Sequence, residues 1–288
     1  MMTLLKELEW KWGVLYGQPG FRRAPALTAG RLISWRIRCL LRRTAVVNLS
    51  RWAIRLFLPV GWKGISKFMF VFREHYEPEL AYLERILSRG KTFIDVGAAF
   101  GIYTLVASKL VGRAGRVIAL EPTAQSFEVL KQNIALNNLT NVLAFPVAMS
   151  LNRGRACLYL GPEPGSNSLG KDCSLKQATE EICTESLDNM VLQTSLGKVD
   201  AIKIDVEGAE ELVLRGAEKT LTSMRPVVIF EVYPEAAARL GLAPNGAWKL
   251  LERLGYELFV VGHEGMLCSV KVPPRRGSNV VAIHRERQ

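Results

Sequence analysis

The chain has 288 residues, 49% of them hydrophobic and 23% charged, which excludes a disordered protein and allows one large domain or a domain with an appendage. Its formal net charge of +11 is uneven: residues 1–75 hold 14 Lys/Arg and 3 Asp/Glu, whereas residues 76–288 hold 24 of each. The basicity therefore belongs to the N-terminal quarter and not to the remainder of the chain.

No run of 18 or more apolar residues occurs, so a membrane-spanning helix is not expected. The N-terminus, with Lys6, Glu7 and Glu9, lacks a signal-peptide pattern. Five cysteines (39, 157, 173, 183 and 268) form no C-x-x-C pair, which fits free thiols and predicts a cytoplasmic protein. Residues 1–73 read as a basic helical region and residues 74–288 as the main domain, with an insertion at 150–190. A short helix is expected around Leu4, Leu5, Leu8 and Trp12. A second covers 31–47, where Ile33, Ile37, Leu40 and Leu41 share one side and Arg31, Arg36, Arg38, Arg42 and Arg43 lie mostly opposite. Ser50 is positioned to cap a third, carrying Arg51, Trp52, Ile54, Arg55, Leu56 and Phe57 up to Pro59. Trp35, Trp52 and Trp62 are interleaved with these cations. Three readings stay open for residues 31–58: a helix pair on anionic headgroups at the inner membrane face, a nucleic-acid patch, or a helical cap with a solvated basic face.

Glu77-Pro78-Glu79 starts a helix, with proline in the first turn and acids at the positive end of the dipole. Then comes the stretch on which the domain is built, Thr92-Phe-Ile-Asp-Val-Gly-Ala-Ala-Phe-Gly-Ile-Tyr-Thr104. Strand, glycine turn and helix open a doubly wound α/β domain that binds ligands at the carboxyl ends of its strands. Asp95 sits at such an end, an unfavourable place for a carboxylate unless something uses it. About 20 residues past the turn, Arg116-Val-Ile-Ala-Leu-Glu-Pro122 reads as a second buried strand ending in an acid, Glu121, where a nucleoside ribose receives its hydrogen bonds. A dinucleotide fingerprint needs a second glycine two residues after the first, so the backbone can approach the pyrophosphate. Here those positions are Ala99 and Ile102, and the spacing between Gly97 and Gly101 is G-x-x-x-G. That disfavours a nicotinamide-dependent oxidoreductase and favours S-adenosylmethionine, which has no pyrophosphate.

Thr123–Asn137 is a helix and Asn141–Val147 a third strand, whose end, including Ala148, is expected beside the adenine. Within 150–190, strands at Arg155–Leu160 and Glu181–Ser186 enclose the Gly161–Gly170 stretch, a lid or a plain surface hairpin. Val199–Gly208 is a fourth buried strand with Asp205 and Glu207 at its carboxyl end. It leads to a helix carrying Ala209, Leu212, Val213, Ala217 and Leu221. Lys203 within that strand requires a partner if buried. A fifth strand spans Arg225–Val232, a helix surrounds Trp248, and the last strands are Tyr256–Val261 and Asn279–His284, the final one antiparallel. None of the three histidines has metal-ligand spacing to another, so no metal is expected. His284 reads as structural, His263 as a loop residue, and His75 as a candidate proton acceptor. No G-x-S-x-G or P-loop pattern occurs.

These residues resemble the FkbM family of S-adenosylmethionine-dependent methyltransferases. The carrying stretches are Glu77–Leu80, Phe93–Thr104, Ala119–Pro122, Ser186–Asp188 and Ile202–Glu210. The resemblance implies a class I methyltransferase fold, a Rossmann-like, mostly parallel seven-stranded sheet with an antiparallel last strand. It also implies methylation of a hydroxyl on a sugar, glycolipid or polyketide-like metabolite. Its implied cofactor contacts are Glu77, Asp95, Gly97, Ala99, Gly101, Tyr103, Thr104, Glu121, Pro122, Ala148 and Asp205. Ala99 departs from the family, which usually has asparagine there. Methyl transfer to a hydroxyl also needs a proton acceptor; Asp205 and Glu207 are the candidates, with His75 behind them. A cofactor-binding scaffold without turnover is the alternative non-enzyme reading.

Overall fold

The computed structural model describes residues 21–287 apart from 23, 60–63, 76, 162–165, 173–176, 263–264 and 275–277. The expected helix at Leu4–Trp12, Trp62, Cys173 and His263 lie outside the described residues. The chain divides into two units, Met1–Glu77 and Pro78–Gln288.

The first unit contains helix α1 (Pro25–Leu40), strands β1 (Ala45–Leu49) and β2 (Ile54–Leu58), and helix α2 (Ile65–Phe72). The hairpin corrects two expectations: α1 begins and ends earlier than 31–47, and residues 54–58 form a strand where a helix was expected. Along both strands burial alternates, with Ala45, Val47, Leu49, Ile54, Leu56 and Leu58 inward. That is the period of a strand, and over so short an apolar run it competes evenly with a helical reading. Ser50–Trp52 forms a single 3₁₀ turn, and Ala53 adopts a left-handed φ of 51° that closes the hairpin. Trp35 of α1 packs on Phe70 of α2 with ring centroids 5.2 Å apart, and Arg31 donates to the Val71 carbonyl at 3.0 Å.

The second unit opens with α3 (Pro78–Ile86). It then runs β3 (Thr92–Val96), α4 (Ile102–Val111), β4 (Arg116–Leu120), α5 (Ala124–Leu136), β5 (Val142–Phe145), β6 (Ala148–Met149), β7 (Gly154–Tyr159), β8 (Thr179–Glu185) and α6 (Leu187–Gln193). It continues with β9 (Ala201–Ile204), α7 (Glu210–Arg215), α8 (Glu218–Ser223), β10 (Val227–Val232), α9 (Pro234–Arg239), α10 (Gly246–Arg253), β11 (Tyr256–Val261), β12 (Leu267–Ser269) and β13 (Ser278–His284). The main sheet has the order β12-β11-β13-β10-β9-β3-β4-β5. From β10 to β5 neighbouring strands are parallel, and β13 runs antiparallel between β10 and β11. This is the class I methyltransferase arrangement, with β12 an eighth strand at the edge that the sequence did not signal. Every residue of β9 is buried, and in β3 and β4 all but the first are buried or nearly so, as continuous apolar runs in a doubly covered parallel sheet require.

The 150–190 insertion forms a separate sheet, β6-β8-β7, with β7 and β8 antiparallel as expected. Its third member, β6, comes from the segment expected to end the third strand; Ala148 pairs with Thr184 and not with the main sheet. The long helix expected after β9 breaks into α7 and α8 at Gly216, where an added Cβ would lie 2.1 Å from the Ser150 carbonyl oxygen. Ser186 caps α6 through the Asn189 amide, and Asp188 accepts from the Lys219 and Thr220 amides and the Thr220 hydroxyl at 3.0, 2.8 and 2.6 Å. The Ser-Leu-Asp stretch is thereby a double helix cap. Cys39, Cys157, Cys183 and Cys268 are free thiols.

Asp188→Ala removes all three bonds to the start of α8 and is expected to lower stability by about 2 kcal/mol in urea unfolding, with Asp188→Asn intermediate.

Candidate functional site

The turn between β3 and α4 is shaped by close approach. Gly97 has φ 78°, and a Cβ there would sit 1.8 Å from the Asp205 carbonyl oxygen. The two strand ends are drawn together: the Asp205 amide donates to the Val96 carbonyl at 3.0 Å. Gly101, φ 91°, starts α4. Ala99 between them also has positive φ, 48°, a conformation that glycine and asparagine accept far better than alanine.

That conformation turns the Ala99 amide onto Glu121 Oε2 at 2.9 Å. The other oxygen, Oε1, accepts from the Thr123 amide at 3.0 Å and hydroxyl at 2.6 Å. Glu121 is thus a buried carboxylate locked in one rotamer at the end of β4, with burial raising its pKa against those bonds. Thr123 was not among the expected site residues, and only the structure shows its role; Pro122 beside it is half-buried. Asp95, at the end of β3, accepts from the Thr104 hydroxyl at 2.5 Å. Burial pushes it up to about 6 despite that bond and the Lys203 charge.

Lys203 is fully buried, and its ammonium lies 3.1 Å from Asp205 Oδ2 and 2.8 Å from Asn279 Oδ1, and 5.2 Å from the centre of the Tyr103 ring. Asn279 stands on β13 opposite Glu231 of β10. At the carboxyl ends of β9 and β10, carboxylate oxygens of Asp205, Glu207 and Glu231 all lie within 4.8 Å of one another. Such spacing suits oxygen ligation of a hard cation as well as proton exchange. Glu207 holds a left-handed φ of 53°, and burial together with the Asp205 charge pushes its carboxyl up to about 8. Glu231 is pushed up for the same two reasons. Glu210 folds back to accept from the Val206 and Gly208 amides, both at 3.2 Å, and burial lifts it to about 7. Glu231 stands near the end of β10, and its convergence on Asp205 and Glu207 is set by sheet order. The insertion reaches the same turn: the buried Ser168 donates to the Glu207 carbonyl oxygen at 2.8 Å.

The other expected residues are placed differently. Ala148 is in the small sheet. His75 closes the 3₁₀ turn Arg73–His75, and Glu77 follows it at the end of the N-terminal unit. His284 is buried edge-on against Tyr256, with ring centroids 5.2 Å apart, and its Nδ1 accepts from the Glu286 amide.

A doubly wound sheet with a glycine turn, an acid ending each of its first two strands and carboxylates across the crevice defines a nucleoside-cofactor enzyme of the class I methyltransferase type. The methyltransferase FkbM domain profile matches residues 95–258, more than half of the chain. The chain belongs to the FkbM methyltransferase family, and S-adenosylmethionine is its cofactor. It is similar to methyltransferase sdnD of Sordaria araneosa, at 24% identity over 69% of this chain and 86% of that one. It is also similar to hexuronic acid methyltransferase AglP of Haloferax volcanii, at 26% over 54% of this chain and 59% of that one. Among solved structures, the FkbM methyltransferase of Methylobacillus flagellatus KT aligns over 88% of this chain and 59% of its own, at 14% identity and a TM-score of 0.43. The methyltransferase assignment displaces the oxidoreductase alternative.

Two outcomes are expected. Gly97→Ala, forced against the Asp205 backbone, should weaken S-adenosylhomocysteine binding by at least about 100-fold in calorimetry and lower stability by about 2 kcal/mol. Asp95, Glu207 and Glu210 hold protons in the folded state that the unfolded chain has released, because each folded value lies above the ordinary one. Stability should therefore fall as pH rises from about 5 to about 8, and Glu207→Gln should flatten that slope by about 1 kcal/mol per pH unit in thermal melts.

Proposed function

We propose that this chain is an O-methyltransferase acting on a hydroxyl of a sugar, glycolipid or polyketide-like metabolite, with a sugar favoured. The observation that carries the reading is the convergence of Asp205, Glu207 and Glu231 at the strand ends beside the glycine turn. A hydroxyl nucleophile must lose a proton during methyl transfer, and a carboxyl held near neutrality accepts it best. Glu207 has that property. The similarity to a hexuronic acid methyltransferase supports a sugar acceptor.

The residues fit the cofactor. Glu121 is fixed by three bonds, two on Oε1 and one on Oε2, which leave an acceptor site on Oε2 for a ribose hydroxyl. Asp95 is a buried acceptor suited to an ammonium, and the missing Cβ of Gly97 lets the Asp205 backbone close against the turn. S-adenosylmethionine would supply an electrophilic methyl group on a sulfonium, with the neutral thioether of S-adenosylhomocysteine as its leaving group. Gly97, Ala99 and Gly101 shape the turn, with Tyr103 and Thr104 supporting Asp95 and Lys203 from α4. Lys203 holds Asp205 in place, and burial together with the Asp205 charge keeps the Glu207 carboxyl raised. Glu207 takes the hydroxyl proton onto a carboxylate oxygen as the new oxygen–methyl bond forms. Most of the rate comes from holding the reactants in register in a site from which water is excluded.

Calorimetric titration should show micromolar S-adenosylhomocysteine binding, no NAD binding, and loss of the first in Glu121→Ala. With hexuronic-acid-bearing and neutral glycans as acceptors, mass spectrometry should detect a methyl gain. Glu207→Gln should lower kcat by about 100-fold while leaving S-adenosylhomocysteine affinity intact. Unchanged kcat in that variant would move the proton acceptor elsewhere. Binding without transfer to any hydroxylated acceptor would favour the scaffold reading.

A further inference from the structure

Helix α1 turns its apolar stripe away from its own unit. Thr28 and Trp35 are the buried residues of the helix, whereas Ile33 is 62% exposed, Ile37 50%, Leu40 84% and Leu41 58%. At 100° per residue these side chains fall within about one third of the circumference, opposite Trp35. Leu27 and Val46 extend the exposed apolar set at 55% and 50%. Single exposed aliphatic residues are ordinary, but a stripe over successive turns of one helix marks an interaction surface.

The charges around the stripe select its occupant. Between residues 21 and 73 there are 12 Lys/Arg and no Asp or Glu. Arg36, Arg42 and Arg43 are exposed on α1 and just past its end, while Arg31 and Arg38 are turned back onto the Val71 and Thr44 carbonyls. A second copy of the chain would set these cations against their own equivalents around a shared apolar core, which like-charge repulsion opposes. A nucleic acid would use the arginines but would give four aliphatic side chains nothing to stack on or enter. An anionic bilayer surface satisfies both parts: aliphatic residues enter the acyl boundary while the cations meet phosphate headgroups. Among the described residues no helix is long and apolar enough to cross a membrane, so α1 would lie in the interface plane.

We propose that the exposed Ile33–Ile37–Leu40–Leu41 face of α1, flanked by Arg36, Arg42 and Arg43, docks on an anionic lipid surface. The full chain should pellet with phosphatidylcholine vesicles containing about 30 mol% phosphatidylglycerol, and far less with phosphatidylcholine alone. The triple variant Ile33→Gln, Ile37→Gln, Leu40→Gln should weaken that binding by at least about tenfold while retaining S-adenosylhomocysteine binding. If the triple variant loses S-adenosylhomocysteine binding, Arg36→Glu with Arg43→Glu carries the test, with a similar loss expected. The proposal is overturned if anionic vesicles do not pellet the protein, or if a folded variant pellets unchanged. It is also overturned if the chain is dimeric in solution and the triple variant is monomeric, which would assign the face to a second copy. Equal capture by an unstructured RNA, abolished by the arginine variant but untouched by the apolar one, would assign it to nucleic acid.

Discussion

An ammonium buried in the middle of a parallel sheet is the constraint around which the crevice is built. Lys203 replaces an apolar residue in the fully buried β9, and desolvating its charge costs several kcal/mol unless partners answer it. Those partners come from separate places in the chain: Asp205 two residues on, Asn279 on the last strand, and the face of Tyr103 from α4. Their positions tie β9 to β13 across β10 and to the start of α4. The carboxylates above gain a nearby positive charge without which their mutual repulsion would be harder to hold. Raised acids at a strand end are unfavourable for folding and useful for proton exchange, the usual compromise of a site.

Much of this was readable before any coordinates. Strand β4 falls within its reading and stops just short of the acid, because a buried strand between two helices is a short continuous apolar run with sharp ends. Asp95, Glu121 and Asp205 were legible because a carboxylate closing such a run has few structural excuses. What escaped notice follows from effects outside a local window. The hairpin at 45–58 has side chains that fit both periods, and only the pairing of its two strands decides between them. Thr123 and Glu210 act through backbone amides, which a sequence does not display. Glu231 joins Asp205 and Glu207 because β10 neighbours β9, a fact of topology.

Ala99 shows how a departure from family pattern can be tolerated. Its left-handed φ carries a modest steric cost, which the Glu121 hydrogen bond helps to offset. The essential element at that position is the direction of the amide, and a methyl side chain does not obstruct it. An asparagine would relieve the backbone and add an amide to the loop, but the acid it serves is already held from the Thr123 side.

The insertion of β13 between β10 and β11 also governs when the site can exist. Strands β4, β5, β9 and β10 can each pair as they leave the ribosome with a neighbour already made. Asn279, however, reaches Lys203 only after residues 278–284 have been synthesised and threaded into the gap between β10 and β11. Until then the ammonium lacks one of its acceptors and the sheet exposes an unpaired edge at β10, a hazard for nascent chains. Completion of the crevice is therefore a late event of biosynthesis, coupled to closure of the sheet by a contact 76 residues apart in sequence.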